Sequence, residues 1–251
     1  MYKYFELNGG GHNIRCKLYC RDEKLIGRIV LFCHGFGGHK DNGAAEKFAM
    51  RAISKHKDIA VLTFNWPCHG DDVKKKLRLE DCMTYLGLLL PYLREKYKTG
   101  EISCYATSFG GYLCLKYIQE HGNPFKKIAL RCPAVNMHEV ISTAIMTPDE
   151  LSSLKKRREI PVGFDRKIMI GLPFLEELRE NDIQQRDYSA YADDILIIHG
   201  SADEIVPFEA AAAFAEKNGI DFVPVDGADH RFKNGQNMEQ AIKLIMEYFG
   251  L

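Results

Sequence analysis

Residues 104–114 read CYATSFGGYLC, and the way this stretch folds decides how the rest of the chain is read. Ser108 stands among small residues, with Ala106 before it and Gly110 and Gly111 after it. Upstream, EISCY is short and mostly apolar, which predicts a strand. Downstream, GGYLCLKYIQE is apolar on a helical period, which predicts a helix. A strand that turns directly into a helix leaves the serine at the tip of a sharp turn. The flanking positions must be small because strand and helix approach closely there. The pattern small-x-Ser-x-Gly has the outline of a nucleophile elbow, with alanine replacing the first glycine at the expense of one methyl group. The helix N-terminus then points free N–H groups at any negative charge developing near Ser108.

Working outward from this elbow, short apolar runs alternate with helical patterns. The runs are 29–32, 59–64, 102–105, 128–130, 195–198 and 222–225, rich in β-branched and aromatic residues. Apolar residues at consecutive positions suit strands buried on both faces of a parallel sheet. Between them, 79–97 is long and apolar on a helical period. Residues 207–217 open on Pro207 and stop before Gly219, and 238–249 closes the chain. An N-terminal hairpin-like region precedes the first run. Repeated strand–helix alternation predicts an α/β architecture with right-handed crossovers.

The rhythm breaks between Asn136 and Arg186, where no strand-like run is seen. Thr147-Pro148-Asp149-Glu150 reads as a capping box, and Leu172-Pro173-Phe174 opens a second helical run, FLEELRE. About fifty residues are too many for a bare loop in a compact domain. The expected organisation is therefore a core of 1–135 and 187–251 with a helical cap inserted at 136–186. The cap's apolar residues, Ile141, Ile145, Met146, Leu151, Leu154, Phe164, Ile168, Met169, Ile170, Leu172, Phe174, Leu175 and Leu178, are too many for two short helices to bury between themselves. Some are expected to face the sheet or a pocket.

A nucleophilic serine needs a base, and the base needs an orienting acid. IIHGSADEIVP sets Asp203 in the loop after the penultimate strand, and VDGADHRF sets His230 in the loop after the last. Ligand and catalytic groups of open parallel sheets gather beyond these C-terminal strand ends. Asp193 and Asp194 precede their strand and lie at the wrong end; Asp226 is so close to His230 that it is expected to shape its turn. An early strand ends in VLFCHGFGG, whose glycines let backbone approach a substrate oxygen.

With HGFGG, ATSFGG, HGSADEIVP and GADHRF in this order, the chain resembles the α/β-hydrolase family over nearly its whole length. It looks most like small-cap bacterial esterases of the cinnamoyl/feruloyl esterase-like group, and like the related serine aminopeptidase and monoacylglycerol lipase branch. The resemblance implies an α/β-hydrolase fold: a mostly parallel central sheet flanked by helices, with a small cap before the penultimate strand. It implies Ser108 as nucleophile, Asp203 as acid, His230 as base, and the Phe36 and Phe109 backbone N–H groups as the oxyanion hole. His34, Gly35 and His69 are candidates for the substrate pocket, with His34 and His199 also read as structural groups. The expected reaction is hydrolysis of a small-molecule carboxylic ester with an apolar or aromatic acyl group, without metal or organic cofactor. A serine aminopeptidase, for which Glu176, Glu177 or Glu180 would hold the substrate ammonium, and an acyltransferase share the same triad. A ligand-binding protein with little turnover is the alternative outside catalysis. Relatives often carry glycine where Ala106 stands, and a different loop where Asn65-Trp66-Pro67-Cys68-His69-Gly70 stands. That loop helps shape the pocket rim.

Composition sets limits on partners. The 251 residues are 46% hydrophobic, which supports a real core, and the formal net charge is zero. No global field favours nucleic acid or an anionic membrane. Two basic clusters, Lys74–Lys76 with Arg78 and Lys155–Arg158, read as solvated faces. Eight cysteines without a Cys-x-x-Cys pair, and an N-terminus without an apolar signal core, predict a reduced, cytoplasmic protein. His12, Cys16 and Cys20 share one face of a strand, and their four-residue spacing is a poor metal pattern. No stretch is long and apolar enough to span a membrane, and the oligomeric state is left open.

Overall fold

The apolar runs of the sequence become the strands of one eight-stranded sheet in the computed structural model, which describes residues 1–157 and 159–251. Arg158, the last residue of the second basic cluster, lies outside the described residues. The strands are β1 (Tyr2–Gly9), β2 (His12–Cys20), β3 (Arg28–Cys33), β4 (Ile59–Phe64), β5 (Glu101–Thr107), β6 (Ile128–Arg131), β9 (Ile195–Gly200) and β10 (Asp221–Val225). Their order across the sheet is β1-β2-β4-β3-β5-β6-β9-β10. From β4 to β10 all pairings are parallel, while β1 and β2 form an antiparallel hairpin that joins the sheet through β4. Strands β3, β4 and β5 are central and covered on both faces, so nearly every one of their side chains is buried. This is why their sequences run apolar rather than alternate.

The helices are α1 (Gly43–Lys55), α2 (Leu79–Tyr97), α3 (Phe109–His121), α4 (Met137–Glu139), α5 (Pro148–Lys156), α6 (Leu172–Glu180), α7 (Phe208–Asn218) and α8 (Gly235–Phe249). Two apolar layers divide them. Val30, Phe32, Val61 and Tyr105 pack with Phe48 of α1 and Ile242 and Ile245 of α8. Ile29, Leu31, Leu62 and Ile102 pack on the opposite face with Leu86 and Leu89 of α2, Leu115 of α3 and Phe214 of α7. Alternate residues of each strand therefore serve opposite layers, as the two-residue period of a strand requires.

Local chemistry sets the helix ends. Asn42 caps α1 by accepting the Ala44 and Ala45 N–H groups. The capping box read at Thr147 is present: its hydroxyl accepts from Glu150 N and the Glu150 carboxylate from Thr147 N. Gly219 ends α7 in the left-handed conformation with φ of 67°, where glycine carries no Cβ penalty.

The segment between β6 and β9 departs from the sequence expectation. Besides α4, a π-helical turn Val140–Ile145, α5 and α6, it contains two strands, β7 (Glu159–Val162) and β8 (Ile168–Gly171), paired antiparallel as a separate sheet. Ile160, Val162, Ile168 and Ile170 alternate with exposed neighbours, a strand period only four residues long on each side of a charged turn. The reading of 136–186 as purely helical is corrected accordingly.

A close backbone approach occurs at the start of α3, which crosses the end of β3. A Cβ on Gly110 would lie 2.2 Å from the Cys33 carbonyl oxygen and 2.7 Å from that of His34. Both obstacles are backbone, so neither yields cheaply. Gly110→Ala is expected to lower stability by about 3 kcal/mol or more. Gly87→Ala, within α2 and with open space around its Cβ, is expected to raise stability by roughly 0.5–1 kcal/mol. Denaturant midpoints of the two variants check the contrast; equal effects refute it.

Candidate active site

Ser108 sits between β5 and α3 with φ 51° and ψ −118°, a backbone conformation that non-glycine residues rarely adopt. Its surroundings hold it there. The Ser108 N–H donates to the Arg131 carbonyl at 3.1 Å, and its own carbonyl accepts from Tyr112 N at 3.1 Å. Gly110 fits against β3 and Gly111 against Pro133. The small residues on which the elbow was read are small because backbone and proline stand where side chains would go. Gly35 lies on the other side, where a Cβ would come within 3.2 Å of the Ser108 Cβ.

Asp203 and His230 meet beyond the ends of β9 and β10. His230 Nδ1 is 2.8 Å from Asp203 Oδ2. The other oxygen of Asp203 accepts the Ile205 and Val206 N–H groups at 2.9 and 2.8 Å. His199 Nε2 lies 3.2 Å from Oδ2. Burial alone would raise this carboxyl, but hydrogen bonds from His199 and His230 outweigh it and hold Asp203 well below the usual carboxylate range. The Asp203 side chain is wholly buried and that of His230 is 13% exposed, so the carboxylate is dry while the imidazole reaches a cavity. Glu204 fixes the loop by accepting the His230 backbone N–H at 3.1 Å. Asp226 instead accepts from the Ser201 hydroxyl at 3.2 Å.

Ser108 and His230 line the same cavity, of about 600 Å³. Gly35 and Phe36 line it too, beside the start of α1 and the β7–β8 turn residues Phe164, Asp165 and Arg166. Phe109 opens α3, so its N–H belongs to the first turn, which has no intrahelical acceptor. The Phe36 and Phe109 rings meet edge to face at 5.9 Å.

Two pocket candidates fall elsewhere. His34 and His69 are 1% and 0% exposed and are not part of the cavity wall, unlike Gly35 between them and Ser108. His34 Nδ1 is 2.8 Å from the Gly35 carbonyl oxygen, and its Nε2 accepts from Trp66 N at 3.3 Å. His69 Nδ1 is 2.8 Å from the Pro67 carbonyl oxygen. Both rings brace the Asn65–Gly70 loop against the strand-end glycines. The cap's apolar residues also point away from the cavity: of those named above, only Phe164 lines it. The others either pack in the core, as Phe174 does against Phe109 at 6.3 Å, or, like Met169 and Leu172, face solvent. Of the three glutamates read as holders of a substrate ammonium, Glu177 pairs with Arg78 and accepts from Leu79 N at 2.9 Å, Glu176 and Glu180 are exposed, and none lines the cavity.

Two residues at the end of β6 were not read from the sequence as part of the site. Cys132 Sγ, an Asp203 carboxylate oxygen and a His230 ring nitrogen lie within 4.8 Å of one another. Burial, and then the Asp203 charge, push the Cys132 thiol well above its ordinary range, so it stays protonated. Arg131, in the same wall, is 7% exposed. The signal for it was present, as a charge closing the buried apolar run IALR.

A family model described as alpha/beta hydrolase fold matches residues 28–159, more than half of the chain. The chain belongs to the α/β-hydrolase fold family. Est1E from Butyrivibrio proteoclasticus, solved with ferulic acid bound, is 18% identical with a TM-score of 0.74, over 98% of this chain and 100% of that one. A soluble variant of monoglyceride lipase from Saccharomyces cerevisiae, in complex with a substrate analog, is 13% identical with a TM-score of 0.75, over 100% and 94%. Alpha/beta hydrolase domain-containing protein 10 from mouse is 14% identical with a TM-score of 0.72, over 99% and 98%. At these identities the likeness is one of fold. No curated protein matches the chain in sequence. No helix among the described residues of this α/β-hydrolase is long and apolar enough to cross a membrane.

The buried histidines give the fold a pH dependence separate from that of its carboxylates. Burial lowers His69 to about 4, and burial with the neighbouring His69 holds His34 well below its usual range. Unfolding releases both to the ordinary value of about 6.5. Between the two values the unfolded chain binds more protons, so stability is full above about pH 6.5 and falls as pH drops toward 4. For His69 the loss is about 3 kcal/mol. Denaturant titrations at pH 7 and 4.5 are expected to show the loss from both rings, and His69→Asn to remove the His69 share, about 2 kcal/mol over this interval. An unchanged slope in the variant refutes the assignment.

Proposed function

We propose that this α/β-hydrolase cleaves carboxylic esters through an acyl-enzyme on Ser108. One observation carries the reading: a serine in a strained turn and a histidine held 2.8 Å from a buried carboxylate share one cavity wall. His230 Nε2 takes the hydroxyl proton as Ser108 Oγ attacks the ester carbonyl. Asp203 accepts from Nδ1–H, which fixes the tautomer and stabilises the imidazolium. The Phe36 and Phe109 N–H groups receive the oxyanion, and the α3 N-terminus adds its dipole. The C–O bond to the alcohol breaks as His230 returns the proton to the leaving oxygen. Water, deprotonated by His230, then attacks the acyl-enzyme and releases the acid and Ser108.

Residues 136–186 act as a cap in this reading, with the β7–β8 turn as the part that roofs the cavity. Phe36, Phe164, Phe232 and Met238 supply apolar wall against which an apolar or aromatic acyl group fits. The ferulic acid bound to Est1E has this character, which supports the same class here. The aminopeptidase alternative has less support. Glu177 is engaged with Arg78, and Asp165, among the described residues the one carboxylate of the cavity wall, is paired with Arg231 at 2.7 Å. Acyl transfer to an alcohol shares the intermediate and differs only in the second nucleophile.

A fluorophosphonate is expected to label Ser108 and no other residue. Ser108→Ala is expected to abolish labelling and reduce ester turnover by roughly 10³- to 10⁶-fold. Asp203→Asn is expected to reduce kcat by on the order of 10³- to 10⁴-fold, and Asp226→Asn far less. Retained turnover in Ser108→Ala, or a reversed ranking of the two aspartates in folded variants, overturns the mechanism. Absent turnover across an ester panel, with Ser108 unlabelled, selects the ligand-binding alternative.

A further inference from the structure

Arg131 closes β6 beside Thr107, the residue that precedes the proposed nucleophile. Its carbonyl holds the Ser108 N–H, and its side chain passes to the α1–α8 side of the sheet into the wall of the cavity. The residue is 7% exposed. Its guanidinium lies 5.0 Å from the Phe232 ring centroid, and Nη1 is 3.2 Å from the Met238 sulfur. Its Nε is buried without a hydrogen-bond partner among the described residues. An aromatic face and a thioether are weak company for a cation with five N–H donors. A buried charge without a counter-ion is costly, and burial this deep ordinarily comes with a carboxylate.

The rest of the wall has the same sign. Lys47, Arg166, Arg231 and Lys233 join Arg131 around the cavity; among the described residues Asp165 is the one carboxylate of the wall, Arg231 engages it, and Lys233 pairs with Asp229 at 3.6 Å just outside the wall. The chain as a whole has a formal net charge of zero, so this is a local concentration. Asn42, Gly43 and Ala44, the N-terminus of the thirteen-residue helix α1, line the cavity as well. The Asn42 side chain takes the Ala44 and Ala45 N–H groups, so the positive helix end faces the same space. No acidic group from the opposing β7–β8 turn is free to neutralise the field.

We propose that the cavity selects esters carrying an anionic group, a carboxylate or phosphate, which pairs with Arg131. The inference rests on the ester-hydrolase reading of Ser108 and names its substrate class. The apolar body of the substrate lies against the aromatic wall, and its oxyanion end completes the hydrogen bonding of the guanidinium, whose planar fork suits either anion. The anion sits on the acyl or on the alcohol side of the scissile bond, and matched substrates separate the two.

The acyl-side pair is 4-nitrophenyl hydrogen glutarate against 4-nitrophenyl pentanoate. The alcohol-side pair is 4-carboxyphenyl butyrate against 4-carbamoylphenyl butyrate, each rate divided by its uncatalysed rate. In one of the pairs the anionic member is expected to be favoured at least about tenfold in kcat/KM at low ionic strength, declining with added salt. Arg131→Gln is expected to reduce that ratio about tenfold or more, and Arg131→Lys to restore part of it. If Arg131→Gln does not fold, Lys47→Gln, an exposed position in the same wall, is expected to lower the ratio more modestly. No anionic preference in either pair, or a preference that survives in folded Arg131→Gln and in Lys47→Gln, overturns the proposal while fluorophosphonate labelling of Ser108 leaves the hydrolase reading standing. Should no ester turn over, inorganic phosphate is the probe. At constant ionic strength it is expected to raise the thermal midpoint of the wild-type chain and not of Arg131→Gln. No rise, or an equal rise in both, overturns the proposal independently of catalysis.

Discussion

Gly110 rests against the carbonyl oxygens of Cys33 and His34, at distances where no side chain fits. That close approach brings the start of α3 down onto the ends of β3 and β5, and Ser108 absorbs the resulting turn in its positive φ. Such backbone strain persists only where the surroundings over-determine it. Here they do so through the Arg131 carbonyl on one side, the first turn of α3 on the other, and Gly35 in front. The serine hydroxyl is thus presented by rigid elements rather than by a loop, and the first-turn N–H groups of α3 come with it.

The partner loops solve a different problem. Asp203 must remain ionised while its side chain is wholly buried, and desolvation opposes this. Two backbone N–H groups and two imidazoles converge on its oxygens, and together they outweigh the burial penalty. His230 gains an orientation from this arrangement, and His199 is the buried donor on the far side. Cys132 sits against the pair as a protonated thiol and adds no competing charge.

The central strands were legible because burial on both faces leaves little choice of residue; β4 runs from Ile59 to Phe64, as its sequence suggested. The elbow was legible because its small residues stand together in one short stretch, although the backbone they meet, at Cys33, His34 and Pro133, is distant in sequence. The Thr147 capping box could be read from four consecutive residues. What escaped reading depends on contacts distant in sequence. β7 and β8 are four residues each and are recognisable only once they pair. His34 was read as a pocket residue from its place before a strand-end glycine and His69 from the loop that shapes the rim, yet their Nδ1 atoms turn inward to the Gly35 and Pro67 carbonyls and His34 Nε2 to Trp66 N. The apolar residues of 136–186 were expected to include pocket-facing ones, but most complete the core around α2 and α3. Hydrophobicity shows that a side chain is covered, and does not say by what.

The end of β6 joins these threads. Its last residue uses its backbone to fix the elbow and its side chain to charge the cavity, so the position of Ser108 and the field around it share one structural origin. A cation in a low-dielectric wall acts over a longer range than one on the surface, because little water screens it. The aromatic residues that deprive Arg131 of water therefore strengthen its effect on whatever enters. In the proposed reading the same field disfavours a substrate ammonium, and the acidic residues of α6, none of which lines the cavity, do not offset it. On that reading, selectivity comes less from apolar residues of 136–186 than from a charge at a strand end, where the fold already required a residue to hold the Ser108 backbone.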